Sequence, residues 1–193
     1  MLTEENAVPL MVLADSYLVK ELRKVCLEYI VQNMTRENVI STLKKSIRFQ
    51  SDEVAARCLL MVAKNFSHKC LEDADYSYLP FELFHSLLRH KYLAVKSEFA
   101  LYKVVREYVF AHKEEIQSSQ LASLMESVRF RWFTYEQLEE AITDPSIPQH
   151  LLIEALMAQM FELKFPNRPK EYDNPRYPPG RFFLPSPPNQ LLM

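Results

Sequence analysis

An all-α fold of stacked antiparallel helical hairpins, followed by a proline-rich extended tail, is predicted by three features of this 193-residue sequence. Helix start signals recur along the chain, each followed by apolar residues three and four apart. The one glycine is Gly180, so the positive-φ positions that two-residue β-hairpins need have no cheap supply. Eight of the twelve prolines fall between Pro166 and Pro188, where apolar periodicity stops and polyproline-II character is expected.

The elements follow in order. Thr3 reads as an N-cap with Glu4 and Glu5 in the first turn. Pro9 then sits about six residues into the helix, where it would remove a hydrogen bond at a cost on the order of 3 kcal/mol. That helix is therefore expected to bend or to begin later. Leu18, Leu22, Val25, Cys26, Tyr29 and Ile30 form the stripe of a second helix. A third starts at Thr35 and carries Val39, Ile40, Leu43 and Ile47. A fourth is capped by Ser51, with Asp52 and Glu53 in its first turn, and carries Val54, Cys58, Met61, Val62 and Phe66.

Leu79-Pro80-Phe81-Glu82 opens the next helix, with Pro80 suited to a first helical position and Leu83, Phe84, Leu87 and Leu88 on one face. A connector from Arg89 to Lys96 places Leu93 and Val95 two apart. Ser97-Glu98 then reads as an N-cap followed by a first-turn acid, ahead of Leu101, Val104, Val105, Tyr108 and Val109. The pattern restarts at Ser118 or Ser119 with Leu121, Leu124, Met125 and Val128. Thr134 and Gln137 have capping-box spacing before Leu138, Ala141 and Ile142. A last helix near Pro148 carries Leu151, Leu152, Ala155, Leu156, Met160 and Leu163. No 33- or 34-residue ankyrin or tetratricopeptide signature repeats, so the pairs are expected to form one domain.

Composition narrows the function. A chain this long buries roughly 70% of its unfolded surface without metal or disulfide support. One glycine is too few for phosphate loops and dinucleotide fingerprints, which removes most nucleotide-binding enzyme classes. The formal net charge of −2 is interspersed, without a polyanion-binding balance. No apolar run reaches the ~18–20 residues that span a bilayer, and the acidic start does not read as a secretory signal. The expected setting is the cytoplasm, with the nucleus as a second compartment, and no membrane partner. Cys26, Cys58 and Cys70 are odd in number, which argues for reduced thiols in or near the core.

Several residue groups invite chemistry. His68-x-Cys70, with Cys58 upstream, contains zinc-type ligands, yet no C-x-x-C pair or fourth ligand accompanies them. The plainer reading is a helix-end histidine and a buried thiol, with no metal and no cofactor. The same residues lack the oriented base and oxyanion site of a Cys–His nucleophile. Glu114-Glu115 and Glu139-Glu140 point about 100° apart on a helix and read as solvated faces, not as acid–base pairs. Arg129-Phe130-Arg131-Trp132-Phe133 mixes bases with aromatics, as single-strand nucleic-acid binders do. Near-neutral charge favours Val128 and Phe130 turned inward with the arginines outward, and no nucleic-acid partner. Either Trp132 or Phe133 is left as a candidate interface anchor. Pro175-Arg176-Tyr177-Pro178 and Pro185-Ser186-Pro187-Pro188 match the bare P-x-x-P form of SH3 ligands, against a plain linker or tail.

The run "YLPFELFHSLLRHKYLAVKSEFALYKVVREYVFAHKEE", continued by "VRFRWFTYEQLEEA", resembles the BACK domain, the helical module after a BTB/POZ domain in kelch-like proteins. The shared pattern is a Leu-Pro-x-Glu-Leu helix, a Leu-x-Val-x-Ser-Glu turn, a long helix with a late aromatic, and Val-Arg-Phe. Tyr108 stands where many members have Trp, and Arg131 where many have Pro. Upstream, "LTEENAVPLMVLADSYLVKELRKVCLEYI" resembles the last two helices of a BTB domain, without the strands and dimerisation helix of its body.

The resemblance implies three segments: 1–33 as the C-terminal helices of a BTB-like domain, 34–164 as a BACK-like domain, and 165–193 as a proline-rich tail without kelch blades. It implies no enzyme, but an adaptor that holds a cullin-3 scaffold and an unspecified target for a ubiquitin ligase. The two helices after residue 34 would form the "3-box", for which Met34, Val39, Leu43 and Phe49 are the candidate partner-binding residues. Homodimerisation would need a full BTB domain upstream. The alternative function is a ligase-independent scaffold or oligomerisation module.

Overall fold

A computed structural model describes residues 1–164, and every element in it is a helix. The proline-rich tail and its P-x-x-P motifs lie outside the described residues. Contacts divide the chain into two compact units, Met1–Ala74 and one that begins at Asp75. The sequence division at residue 33 therefore falls inside unit 1, whose helices from both expected segments share one core.

Unit 1 consists of α1 (Ala7–Ser16), α2 (Lys20–Asn33), α3 (Val39–Arg48), α4 (Asp52–Asn65) and the short α5 (Lys69–Glu72). Helices α1 and α2 pair as one hairpin and α3 and α4 as another. Helix α1 begins at Ala7, not near Thr3, which resolves the conflict with Pro9. The proline becomes the third helical residue, where its missing N–H would have had no helical partner. Before the helix, Thr3 and Asn6 lock each other: the Thr3 N–H donates to Asn6 Oδ1 (2.8 Å) and the Asn6 N–H to Thr3 Oγ1 (3.3 Å). Thr35 and Asn38 make the same reciprocal pair, at 2.7 and 3.3 Å, before α3. Both threonines thus cap a turn ahead of the helix, and each helix starts four residues after its threonine.

The two hairpins also close alike. Leu18 (φ 58°) and Gln50 (φ 53°) occupy the left-handed position. The Val19 N–H donates to the Ala14 carbonyl (2.8 Å) and the Leu18 N–H to that of Asp15 (3.0 Å). Ser51 and Gln50 donate to Ser46 (2.8 Å) and Ile47 (3.1 Å) in the same pattern. These are Schellman closures in which glycine is the usual residue. Thr3 and Thr35, and Leu18 and Gln50, each differ by 32 positions, and so do the buried pairs Met11 and Leu43, Cys26 and Cys58, Ile30 and Val62. Unit 1 is a helical hairpin repeated at a 32-residue spacing, a period the repeat signatures sought in the sequence do not cover. Leu18, expected in the α2 stripe, lies in the connecting turn and is exposed, and Val25 is exposed as well.

In unit 2 the described helices are α6 (Phe81–Leu88), α7 (Glu98–Ala111), α8 (Ser118–Glu126), α9 (Tyr135–Ile142) and α10 (Gln149–Lys164), with a 3-10 turn at Phe130–Trp132 between α8 and α9. Two of their start signals hold in detail. Ser97 Oγ accepts from the Ala100 N–H, and Thr134 and Gln137 form a reciprocal capping box. Pro80 is the cap of α6, one residue before the expected position. The core is aromatic: Tyr102, Phe130 and Phe133 meet with ring centroids 5.0–5.9 Å apart, and Tyr108 stacks on Phe84 at 3.9 Å. Among the described residues, no helix is long and apolar enough to cross a membrane.

Candidate protein-interaction surfaces

In unit 1 the expected partner-binding residues divide by burial. Val39 and Leu43 have no exposed surface and hold α3 against its neighbours. Met34, the residue that ends α2 in an extended conformation, and Phe49, which ends α3, are half-buried. They lie at opposite ends of α3, a helix about 15 Å long. The structure therefore brings Val39 and Leu43 into one core but sets Met34 and Phe49 apart. Between the two ends, Ile40 and Ile47 are half-buried on one face, so a partly open apolar strip, interrupted by the exposed Lys44, runs along α3. The Arg48 guanidinium lies 5.7 Å from the Phe49 ring centroid.

The approach to α1 and the start of α3 are tied together by polar contacts. Asn38 Nδ2 donates to Glu4 Oε1 (3.0 Å) and to the Asn33 carbonyl (2.8 Å), while Lys45 Nζ donates to the Glu4 carbonyl (2.8 Å). Arg23 on α2 bridges Asp15 of α1 (2.9 Å) and Glu53 of α4 (2.5 Å). The Glu4 contacts join α3 to the approach of α1, beside the buried Val39 and Leu43.

His68 Nδ1 lies 2.9 Å from Cys70 Sγ, and that thiol also reaches the Arg36 carbonyl at 3.7 Å. Cys70 is exposed, contrary to the expectation that all three thiols lie in or near the core. Burial raises the Cys26 thiol and pushes Cys58 up to about 12, which keeps both protonated at neutral pH. Among the described residues, no group of three or more His, Cys, Asp or Glu side chains is placed to hold a metal.

Unit 2 carries two features that sequence reasoning missed. The first is a buried ion pair. Glu98, read as a first-turn acid, is 1% exposed and accepts from the Arg129 N–H (3.0 Å), with Arg129 Nε 4.0 Å from its other oxygen. Val128 and Phe130 turn inward as expected, but Arg129 is 8% exposed and not outward. Phe133 is buried and Trp132 partly exposed, which decides between the two aromatics.

The second is a groove of about 610 Å³ formed by the end of α7, the start of α8 and the turn after α9. Val109, Ile116 and Leu121 line it with apolar surface, and Phe110 stands beside them 80% exposed. Its charges are largely satisfied internally. Arg106 reaches Glu140 (3.4 Å), and Asp144 accepts from Tyr102 Oη (2.6 Å) and from the Ser146 N–H (2.9 Å) and Oγ (2.5 Å). Burial works against the Asp144 charge, but the hydrogen bonds from Ser146 and Tyr102 prevail and hold its carboxyl below the usual range. The available signal for the groove was Phe110, an aromatic on the side of α7 away from its apolar stripe. Glu139 and Glu140 are both exposed, as expected, and Glu140 also pairs with Arg106.

The family described as "BACK: BTB And C-terminal Kelch" matches residues 39–143, more than half of the chain. Kelch-like protein 11 of Homo sapiens is 27% identical over 103 residues, and the same protein of Mus musculus is 26% identical over 103 residues. Each alignment covers 53% of this chain and 14% of the relative, so the matched portion is about one seventh of the relatives' length.

Proposed function

This chain belongs to the BACK family, and on that premise we propose that it is the interaction module of a BTB–BACK substrate adaptor. In this reading unit 1 contacts a cullin-3-type scaffold, and the chain positions a target protein for ubiquitination without performing bond chemistry itself. Its contribution is proximity, which raises the effective concentration of target near the ligase. The observation that carries the reading is the α3 strip, which lies within the matched family segment and is joined to the preceding residues by the Asn38–Glu4 and Lys45–Glu4 contacts. An apolar helix face flanked by polar groups suits a partner that buries its own apolar segment in a groove.

Burial decides how the contact is tested. A Leu43→Asp change would place a carboxylate in a fully buried site and disrupt the fold. Met34→Asp and Phe49→Asp alter half-buried positions and leave that core intact. Calorimetric titration with the N-terminal segment of cullin-3 is expected to show saturable binding, weakened at least tenfold by either change while circular dichroism is unaltered. Absence of heat with folded wild-type chain, or binding indifferent to both changes, would defeat the α3 contact.

The unit 2 groove supports a second reading, a ligase-independent scaffold that binds its partner through Phe110 and the adjoining apolar wall. The same titration separates the two, since Phe110→Ser should leave cullin binding unchanged under the adaptor reading. The adaptor's place of action would be the cytoplasm, with the nucleus as a second compartment.

A further inference from the structure

A small cavity of about 230 Å³ lies at the carbonyl end of α7, lined by Leu79, Pro80, Phe81, Tyr108, His112 and Glu115. That is below the roughly 300–1,000 Å³ of a site for a whole small ligand, and it suits one long side chain. The hydrogen bonds around the cavity decide which kind.

The Tyr108 hydroxyl donates to the Leu79 carbonyl (2.9 Å), so its lone pairs are left to accept. His112 Nδ1 lies 3.0 Å from the Tyr108 carbonyl. A carbonyl only accepts, so Nδ1 carries the proton, and Nε2 of the neutral ring is an acceptor as well. Pro80 has no N–H to offer. Glu115 adds an exposed carboxylate, and among the described residues no cation pairs with it. Burial holds the Tyr108 hydroxyl above its ordinary range, and the Glu115 charge adds to the rise, so that charge is felt at the cavity wall. Helix α7 has no basic residue in its last turn, where its orphan carbonyls favour positive charge. Against these acceptors stands the amide nitrogen of Gln120, whose oxygen is taken by the Gln117 N–H (3.0 Å).

The walls are aromatic. Tyr108 and His112 stack at 4.3 Å with 29° between their planes, and the half-buried Phe81 adds a third ring. Acceptors, flat rings and a carboxylate together match a guanidinium, which is planar, carries five donors and stacks on aromatic faces. A lysine ammonium is a compact point charge and gains less from flat walls. Ile116 lines both this cavity and the Phe110 groove, so an apolar segment in the groove would present an adjoining residue to the cavity. That continuity favours an arginine carried on a protein chain over a free small molecule.

We propose that this cavity is an arginine-recognition pocket, filled by an arginine side chain of a partner protein. Glu115 holds the guanidinium, Tyr108 and His112 supply neutral acceptors, and the rings cover its faces. The pocket does not depend on the α3 contact, which belongs to unit 1.

The test titrates the full chain with the peptide acetyl-Leu-Ala-Arg-Ala-Leu-amide and follows the Ile116 and Gln120 amides and the His112 ring by NMR. Saturable shifts are expected, with affinity at least tenfold weaker when the peptide arginine is replaced by citrulline, which keeps the shape and loses the charge. Glu115→Gln, a change at an exposed position, should bring the arginine peptide down to the citrulline level, whereas Glu114→Gln should not. Phe110→Ser tests the groove and should leave the arginine-to-citrulline ratio unchanged, so pocket and groove fail separately. Absence of shifts in the folded chain, or equal affinity for the arginine and citrulline peptides, would overturn the pocket. An equal loss with Glu114→Gln would reduce it to diffuse surface charge and overturn it too. A lysine peptide binding as well as the arginine one would overturn the guanidinium assignment, and acetyl-arginine-amide binding as tightly as the peptide would overturn the protein-borne partner.

Discussion

The two units solve the same problem, holding helices against one another, with different materials. Unit 1 repeats one local device: a Thr-x-x-Asn lock, a helix, a left-handed closure and a second helix, packed with aliphatic side chains and two buried thiols. Its cross-helix ion pairs, such as Arg23 with Asp15 and Glu53, remain partly solvated and contribute little. Unit 2 depends on long-range buried polar contacts set among aromatic rings. Glu98 meets Arg129, Tyr102 meets Asp144, and the Tyr108 hydroxyl donates to the Leu79 carbonyl at 2.9 Å. Stability that resides in local turns is spread over many small terms. Stability that resides in buried polar pairs concentrates in a few residues, whose loss is severe.

The largest expected effect follows from that concentration. Glu98→Ala leaves the Arg129 guanidinium buried beside an unfilled site, and should cost about 3–5 kcal/mol, the range for removing one member of a buried pair. Glu98→Gln keeps an acceptor for the Arg129 N–H and should cost less. Urea denaturation would measure both. A loss below 1 kcal/mol for Glu98→Ala would erase the contrast between the units.

The next effect is smaller and depends on pH. Tyr102→Phe removes a hydrogen bond to a carboxylate, about 1.5–3 kcal/mol. The Asp144 carboxyl is held below its ordinary range in the folded state, with Tyr102 among the causes. A depressed folded pKa stabilises the protein above the unfolded value, near 3.9, and that stabilisation disappears as pH falls through the folded value. The gap between wild type and Tyr102→Phe should therefore be full at pH 6 and shrink below about pH 4. A gap constant down to pH 3 would mean that the hydroxyl acts through packing alone.

This contrast also separates what the sequence discloses from what it conceals. Helix starts at Ser97 and Thr134 were legible because capping is local chemistry, whereas Ser51 precedes α4 at the expected place without a side-chain cap hydrogen bond. The α1 and α3 starts were placed three residues early, because Thr3 and Thr35 have cap character in their own right and the reciprocal Asn, the actual N-cap, lies three residues on. Of the candidate surface, Met34 and Phe49 were legible as apolar residues beyond a core stripe, but periodicity alone does not decide how much of α3 its neighbours cover. Val39 and Leu43 show this, being fully buried. The Glu98–Arg129 pair joins residues 31 apart in sequence, and neither residue type announces burial. Nor did the hairpin repeat stand out, since its corresponding positions conserve burial more than residue identity.

The last comparison lies within unit 1, between its two closures. Leu18 and Gln50 each hold a left-handed φ that costs a non-glycine residue about 1–2 kcal/mol. Glycine removes that cost but adds roughly 0.5–1 kcal/mol of unfolded-chain entropy. Leu18→Gly and Gln50→Gly should each stabilise the chain by a net ~0.5–1 kcal/mol, a rise in Tm of about 1–4 °C. Both side chains are exposed, so neither change sacrifices core packing. Equal gains, measured by calorimetry, would establish the hairpins as energetic equivalents and not only geometric ones. If Gln50→Gly stabilises and Leu18→Gly does not, the Leu18 side chain must make an apolar contact that offsets its backbone cost, and the first hairpin would differ from the second in its role.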